Sequence, residues 1–427
     1  MRQPSAASIP KPTGYFLGLS RDTVLLAFSS LFADISTEML YPVLPVFLTQ
    51  VLKASGSDIG LIEGIAQATQ NMAQGFSGWL SDLLQRRKPI ALAGYALAAI
   101  SKPFMGLAAS WPTFLVARFT DRLGTGTRSA PRDALVASSV ASQYRGRAFG
   151  LEGLGDNLGA FLGPLVAVLL LSTLHFRMRS LFYLAIIPGL LAVAMVFFVH
   201  ESSTPATKES ATTESATKKS ATKVSRNSRG LHRYPRAYWK FLLVIATFGI
   251  GNSSNSFLIL HTRDLGASLT STILIYAAFN LVAALASYPA GALSDKLGRK
   301  NLLLLAFVTF LLTYLGFARV HSLLVIGVLF ALYGIFQGIF RAVGKVFATD
   351  LVPDDLRASG IGWYSTAVGL SQLIASLIAG QLWDNVSHTA VFLYGSVTAV
   401  LGILSLLLLV QSGNPQPFPS TSASYNK

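Results

Sequence analysis

Two acidic residues, Asp34 and Glu38, lie four residues apart in a stretch of the chain that is otherwise largely apolar. On a helix this spacing places both side chains on one face, which Tyr41 continues. Two carboxylates so close together in a medium of low dielectric constant repel each other, which favours a proton on one of them near neutral pH. The pair therefore has the chemistry for binding and releasing protons, and a structural ion pair with an arginine is the alternative.

A second group of charges lies between residues 111 and 139 and contains Arg118, Asp121, Arg122, Arg128, Arg132 and Asp133. At 100° per residue these side chains fall within an arc of about 140° on one helix. A charge at the centre of a bilayer costs roughly 2.5–3.5 kcal/mol, so this stripe must face protein or water. We expect Arg118, or almost equally Arg122, to pair with Asp34. The predicted proton-coupling residues are Asp34, Glu38, Arg118, Asp121 and Arg122.

Polar residues inside other apolar stretches mark further faces that must avoid lipid. Residues 58–80 carry a polar stripe within an arc of about 100°, formed by Glu63, Gln67, Gln70, Asn71 and Gln74. Such a stripe either lines a polar path through a membrane or holds helices together by hydrogen bonds, and the sequence favours neither. The residues predicted to line a path are Tyr41, Glu63, Gln67, Asn252, Asn255 and Gln337.

The composition explains why these charges stand out, because 52% of the 427 residues are hydrophobic and only 12% are charged. A soluble domain carries about 25% charged residues, so an ordinary soluble enzyme, a disordered chain and a fibrous protein are all disfavoured. The absence of cysteine excludes disulfides and cysteine-based metal or catalytic sites. The sequence contains no nucleotide-binding, metal-binding or hydrolytic motif, so we expect no cofactor, no metal and no enzymatic activity.

Twelve stretches are long enough to cross about 30 Å of hydrocarbon, namely 23–48, 58–80, 89–110, 111–139, 148–171, 180–199, 238–260, 270–293, 301–318, 322–348, 359–382 and 389–411. The first is too long for a signal peptide and lacks a cleavage site. Lys and Arg are concentrated in the loops of one side, which the positive-inside rule makes the cytoplasmic side. Much of the net charge of +15 therefore reports topology rather than nucleic-acid binding. We expect an all-α, multi-pass protein of the cell membrane with both termini in the cytoplasm.

Residues 200–237 interrupt this pattern with tandem repeats rich in Ser, Thr and Lys. Such a segment cannot bury enough apolar area to offset its ordering entropy, so we expect a disordered cytoplasmic linker. A basic segment that binds lipid headgroups is the alternative. The linker separates a six-helix bundle over residues 1–199 from a second over 238–411, and residues 412–427 form a cytoplasmic tail.

The two halves repeat each other at an offset of 213 residues. Corresponding residues are Gly78 and Gly291, Asp82 and Asp295, Arg86 and Arg299, Arg128 and Arg341, and Arg132 and Lys345. Corresponding segments have the same orientation across the membrane in both halves. This indicates parallel repeats, related by an axis along the membrane normal. This arrangement is typical of secondary transporters whose site lies between the halves.

The segment from Gly291 to Lys300, with sequence GALSDKLGRK, resembles the loop signature of the major facilitator superfamily. The corresponding segment in the first half of the chain has Gln85 where this signature usually has glycine. The segment from Gly159 to Pro164 is similar to the start of a fifth-helix motif of proton antiporters, and the run after Asp34 resembles bacterial efflux-type permeases. This resemblance spans residues 22–411 and implies two six-helix bundles of the major facilitator fold, with spans 1, 4, 7 and 10 around a central cavity.

The same resemblance implies an inner gate. It places Asp82 against a basic residue or a helix N-terminus of span 11, with Gly78 permitting close contact there, whereas helix capping is the alternative. The predicted gate residues are Gly78, Asp82, Arg86, Arg128, Arg132, Gly291, Asp295, Arg299, Arg341 and Lys345.

Span 5 combines a packing stripe with two acids. Glycine at every fourth residue favours close helix packing, and the predicted packing residues are Gly155, Gly159, Gly163 and Pro164. We expect Glu152 and Asp156 of this span to pair with arginines of span 4.

Two functions are compatible with these features. The first is proton-coupled export of small organic molecules by alternating access, which the acids of span 1, the basic span 4 and the partial antiporter motif favour. The second is proton-coupled import of an organic anion or nutrient, which the bases within the spans suggest. In both cases the partners are a small-molecule substrate, protons and the lipid bilayer, without nucleic acid, and we expect a monomer.

Overall fold

The computed structural model describes residues 19–84, 86–140, 144–201, 234–353 and 356–410. The side chains of Asp82, Tyr288, Asp295 and Ala358 are outside this description. Most of the predicted linker, the predicted tail and Gln85 also lie outside the described residues, so the predictions for them stay predictions.

The described residues form α-helices and a single π-helical turn, Leu169–Thr173, which continues α6. The helices are α1 (Arg21–Glu38), α2 (Leu44–Gln50), α3 (Gly56–Leu84), α4 (Arg87–Leu107), α5 (Trp111–Ser138), α6 (Arg145–Val168), α7 (Met178–Leu184), α8 (Ile186–Phe197), α9 (Arg236–Gly249), α10 (Asn255–Asp264), α11 (Leu269–Leu297), α12 (Arg299–Phe317), α13 (Leu323–Asp350), α14 (Arg357–Asn385) and α15 (His388–Leu409). The predicted all-α class is confirmed.

Eight helical segments of the described chain are long and apolar enough to cross a membrane. The charged helix α5 and the polar helix α3 are not among them, so their assignment as spans stays a prediction. Three predicted spans are divided: the first into α1 and α2, the sixth into α7 and α8, and the seventh into α9 and α10. Pro45, without a backbone N–H, lies at the start of α2, where a helix tolerates it. Gly251, between α9 and α10, packs directly on Thr398.

The two halves of the chain meet along α3 and α14, which run antiparallel. Small residues allow close approach, since a Cβ on Gly64 would lie 2.9 Å from Leu373 and one on Gly380 would lie 2.8 Å from the Cα of Ser57. We call the end of the bundle where α3 begins the Gly56 end, and the opposite end, where α4 begins, the Arg86 end.

At the Gly56 end, a carboxylate of the second half accepts hydrogen bonds from a helix of the first half. The Asp384 carboxylate of α14 accepts hydrogen bonds from the backbone N–H groups of Gly56 at 2.8 Å and Ser57 at 2.7 Å, and from the Ser57 hydroxyl at 2.6 Å. The first N–H groups of a helix have no intrahelical partner and carry partial positive charge. Asp384 therefore caps α3 from the other half of the molecule.

Candidate functional site

A cavity of about 480 Å³ lies between the two halves. Its wall is formed by α1, α3, α5 and α6 from the first half, and by α10, α11, α13, α14 and the turn before α10 from the second. The resemblance implied a cavity lined by spans 1, 4, 7 and 10, and all four contribute. The stripe on α3 contributes Gln67, Gln70, Asn71 and Gln74 to this wall, which places four of its five polar residues there.

Asp34 pairs with Arg128, whose Nη2 lies 3.5 Å from the Asp34 Oδ1. The guanidinium of Arg128 also lies over the ring of Tyr95, 4.5 Å from its centroid. The predicted pair between Arg118 and Asp34 is wrong. Arg118 lies ten residues before Arg128, about 15 Å along α5, and reaches an acid of α3 instead.

Glu38 lies in the same wall, one helical turn from Asp34, and contacts the second half. Its carboxylate accepts a hydrogen bond from the Tyr276 hydroxyl at 3.0 Å and lies 3.5 Å from the Asn280 amide nitrogen. Sequence reasoning missed these two residues of α11. Their spacing of four within an apolar helix was the available signal, because it places both on one face.

A fully buried charge network lies behind the cavity wall near Tyr41. The guanidinium of Arg118 contacts both carboxylate oxygens of Glu63, through Nε at 3.1 Å and Nη2 at 3.2 Å. Asp121 contacts Lys102 at 3.4 Å, Arg118 at 3.3 Å and Arg122 at 3.3 Å. The structure therefore places Glu63, Arg118 and Asp121 in the protein interior rather than on the path predicted for Glu63.

Arg132 holds a cluster of acids between α5 and α6. Its guanidinium lies 2.9 Å from Glu152, 3.3 Å from Asp156 and 3.0 Å from Asp133. The expected pairing of Glu152 and Asp156 with an arginine of span 4 is confirmed. Ser30 joins α1 to the cluster, since its hydroxyl donates to Glu152 at 3.0 Å.

The second half presents neutral polar groups and two cations. The Tyr333 hydroxyl donates to the Asn255 side-chain oxygen at 2.9 Å and lies 3.4 Å from the corresponding oxygen of Asn252. Gln337, Arg341 and Lys345, spaced about one helical turn apart on α13, line the cavity. Tyr41 lies in the wall opposite, with its hydroxyl 3.4 Å from that of Ser254.

The glycine stripe of α6 packs against α1 next to the two wall acids. A Cβ on Gly159 would lie 2.7 Å from the Asp34 Cβ, and one on Gly163 would lie 3.0 Å from the Glu38 Cβ. Gly155 packs in the same way on the backbone of α1, and Pro164 is buried in the same helix. The stripe therefore sets how closely α6 approaches the segment that carries Asp34 and Glu38.

The predicted gate residues do not form one cluster, since four of them line the cavity, namely Arg128, Arg132, Arg341 and Lys345. A Cβ on Gly78 would lie 3.1 Å from the Ala130 Cβ of α5. The contact with span 11 is predicted for the outward-open state, so it stays a prediction. Around Gly291 the described structure leaves open space. The Asp82 and Asp295 side chains are not described, so their predicted contacts stay predictions.

The basic residues of the two loop signatures differ in their surroundings. Arg86 immediately precedes α4. The Glu201 carboxylate caps the start of this helix and accepts a hydrogen bond from the backbone N–H of Arg87 at 2.6 Å. Arg299 pairs with Asp350 at 3.2 Å. Gly298 joins α11 to α12 at a φ of 87°, a conformation that glycine adopts without strain and other residues rarely adopt.

Comparison with known proteins identifies the family. The sequence pattern of the Major Facilitator Superfamily matches residues 26–262 and 241–425. An uncharacterised MFS-type transporter of Methanocaldococcus jannaschii is 34% identical over 397 residues, which are 92% of this chain and 95% of the relative. The chain belongs to the major facilitator superfamily. It is accordingly a transporter, and its apolar helices make it a multi-pass membrane protein.

More distant members of the superfamily differ in what their names say they carry. A homologue of the multi-drug resistance efflux pump PmrA from Lactococcus lactis is 25% identical over 396 residues, 87% of this chain and 91% of the relative. A cis,cis-muconate transport protein of Acinetobacter baylyi is 25% identical over 399 residues, 90% and 93% of the two chains. The crystal structure of a D-xylose–proton symporter matches at a TM-score of 0.73 and 16% identity, over 93% of this chain and 99% of that one, and shows the shared major facilitator fold.

The close approach of α6 to α1 in this major facilitator transporter predicts a position-specific effect of an added methyl group. Gly159→Ala is expected to lower the free energy of unfolding by about 1–3 kcal/mol, because the new Cβ overlaps Asp34 and forces the helices apart. Chemical unfolding in detergent micelles measures this. The matched control is Gly153→Ala on the same helix, where no atom lies within 4 Å of the added Cβ and up to about 1 kcal/mol of stabilisation is expected. Equal effects of the two substitutions would contradict the packing role.

Proposed function

We propose that this protein couples proton movement to the export of small organic molecules by alternating access. The observation that carries the proposal is the position of Asp34 and Glu38, one turn apart on α1 in the wall of the cavity between the halves. Each acid has partners that hold its ionised form, Arg128 for Asp34 and Tyr276 for Glu38. A proton that binds to either acid competes with those contacts, and at Glu38 the contact that it weakens joins the two halves.

The membrane orientation is part of the proposal. We place the Arg86 end in the cytoplasm, because Lys and Arg are concentrated in the loops on that side. At the Gly56 end, the glycine contacts between α3 and α14 and the Asp384 cap hold the halves together. The cavity wall extends in the other direction to Arg132 and Lys345. This conformation fits a transporter that is closed to the outside and loads substrate from the cytoplasm.

Proton-coupled import of an organic anion or nutrient is the second candidate function. It is favoured by the cations Arg341 and Lys345 in the cavity wall. The names of the relatives point both ways, since one is an efflux pump homologue and another a muconate transport protein. The difference between the two candidates is the direction of substrate movement relative to the proton.

Transport in proteoliposomes tests the proposal. The purified protein is reconstituted, a panel of labelled organic molecules is supplied, and uptake is followed under inside-acid, outside-acid and equal-pH conditions. Export by antiport predicts that an inside-acid gradient drives substrate into the vesicles as protons leave. Accumulation driven by an outside-acid gradient would support import by symport instead, and uptake independent of both gradients would contradict proton coupling.

The Asp384 cap predicts a shift in the balance between conformations. Asp384→Asn is expected to raise accessibility from the Gly56 end about tenfold, because charge-assisted hydrogen bonds to the α3 N-terminus are weakened. The chain has no cysteine, so Gln372→Cys in the cavity wall provides a unique site for an impermeant maleimide added on that side. Asp264→Asn is the control, since Asp264 pairs with His388 within the second half at 2.8 Å. An unchanged labelling rate in Asp384→Asn would show that the cap does not hold the halves together.

A further inference from the structure

Arg122 lines the cavity, and one nitrogen of its guanidinium has no polar partner among the described residues. It is only 7% exposed, and its Nη1 donates to the Gln70 side-chain oxygen at 3.0 Å. Its Nε lies 3.3 Å from the Asp121 Oδ2, and its Nη2 is buried without an acceptor among the described residues. A buried guanidinium nitrogen left unsatisfied is costly, and most such groups in proteins have a partner. The site is therefore incomplete without an acceptor.

The charge network behind Arg122 leaves one positive charge in excess. Its carboxylates are Glu63 and Asp121, and its cations are Lys102, Arg118 and Arg122. Arg118 engages Glu63, and Asp121 is shared among all three cations. Of the three cations, Arg122 is the one that lines the cavity. The excess charge is thus presented where a ligand would bind.

The opposite wall carries a second source of positive charge. Arg341 and Lys345 of α13 are exposed to the cavity, and no acidic side chain of the described residues lies within ion-pair distance of either. Arg122 and Arg341 therefore line the same cavity from opposite halves.

Aromatic rings line the cavity beside these cations. Tyr41 and Tyr276, from opposite halves, stack with their ring centroids 5.4 Å apart and their planes at 17°. Tyr333, Phe340 and Tyr364 add aromatic surface on the side of the second half. Flat, unsaturated molecules pack well on such surfaces, and a volume of about 480 Å³ is in the range of small-molecule sites.

We infer that the transported molecule is an organic anion with a flat unsaturated body, whose carboxylate or similar oxyanion binds between Arg122 and Arg341 while its body lies against the Tyr41–Tyr276 pair. The planar guanidinium fork matches a carboxylate in geometry and supplies charge-assisted hydrogen bonds. The anion would provide the acceptor that the Nη2 of Arg122 lacks. This inference rests on the proposed transport function and specifies its substrate class, and it holds for either direction of transport.

Matched acid and amide probes test the inference at equilibrium, without a pH gradient. Binding of cinnamate and cinnamamide, and of benzoate and benzamide, is measured by calorimetry on the intact protein in lipid nanodiscs. We expect saturable binding of an acid and about tenfold or more weaker binding of its amide, because the amide loses the charge-assisted contacts. Arg341→Gln is expected to weaken acid binding by a similar factor, with partial recovery in Arg341→Lys.

Arg319→Gln is the matched control, because it removes the same charge from an exposed position at the end of α12. Arg122→Gln is the companion variant, and the exposed position of Arg341 keeps the test valid if Arg122→Gln does not fold. Equal binding of acid and amide, unchanged acid binding in Arg341→Gln, or no saturable binding of either acid would overturn the inference. Gradient-driven transport of an uncharged molecule would show that the substrate class is wrong and the proposed function right. Acid binding without proton-coupled transport would show that the substrate class is right and the proposed function wrong.

Discussion

Glu38→Gln is expected to abolish proton-driven transport, lowering gradient-dependent uptake to the level of protein-free liposomes. Glutamine keeps the size of the side chain and can still accept a hydrogen bond from Tyr276, but it cannot take up a proton in exchange for that contact. Asp34→Asn is expected to act in the same way, because it removes the charge that pairs with Arg128. Uptake into proteoliposomes under an imposed pH gradient measures both effects.

A second measurement separates proton coupling from a structural role. Exchange of labelled for unlabelled substrate at equal pH needs no net proton movement, so we expect Glu38→Gln to retain it. Asp58→Asn is the control, because Asp58 lies at the start of α3 outside the cavity and accepts from the backbone of Ser55. If the pH gradient drove substrate uptake as fully in both Asp34→Asn and Glu38→Gln as in the wild type, the assignment of the proton to this pair would be refuted.

Arg118→Gln is expected to lower the free energy of unfolding by about 3–5 kcal/mol, because it removes the ion-pair partner of the fully buried Glu63. Within the described residues, the remaining polar contact of that carboxylate is the Ser254 hydroxyl at 3.5 Å. The double variant Glu63→Gln with Arg118→Gln should recover much of the loss, since neither charge then remains buried without its partner. Chemical unfolding of the wild type, both single variants and the double variant gives the coupling energy.

The exposed Arg319 again provides the control, here for the unfolding measurements on the Arg118 and Glu63 variants. Arg319→Gln changes the net charge by the same amount but is expected to shift the free energy of unfolding by less than about 0.5 kcal/mol. An Arg118→Gln variant as stable as Arg319→Gln would show that the buried network contributes nothing to stability. Additive single effects would show that Arg118 and Glu63 act independently.

Several features of the site could be predicted from the sequence because they depend on local helix geometry. The spacing of four between Asp34 and Glu38 places both on one face of α1, and the structure finds both in the cavity wall. The same rule explains why the acids of span 5 could be assigned to arginines of span 4, although only the structure identifies Arg132 as the arginine that pairs with both. In each case the periodicity of one helix, together with the high cost of a charge in lipid, leaves few places for the side chain.

The partners of these charges were harder to predict, because they depend on how far one helix is displaced along another. A shift of one turn moves a guanidinium by 5.4 Å, enough to exchange one carboxylate for another, and no pattern within a single helix records it. For that reason Asp34 was assigned to Arg118 and is found with Arg128. The contacts of Glu38 with Tyr276 and Asn280 depend on the same kind of displacement between α1 and α11.

The sequence by itself determined the all-α class, the internal repeat and the helix faces that carry charge, because hydrophobic length and helical periodicity are local properties of the chain. The tertiary structure alone decided the ion pairs, the Asp384 cap on α3 and the unsatisfied Nη2 of Arg122 behind the cavity wall. Those features arise where helices from distant parts of the chain meet. Their energies depend on distances of a few ångströms between groups that the sequence does not place side by side.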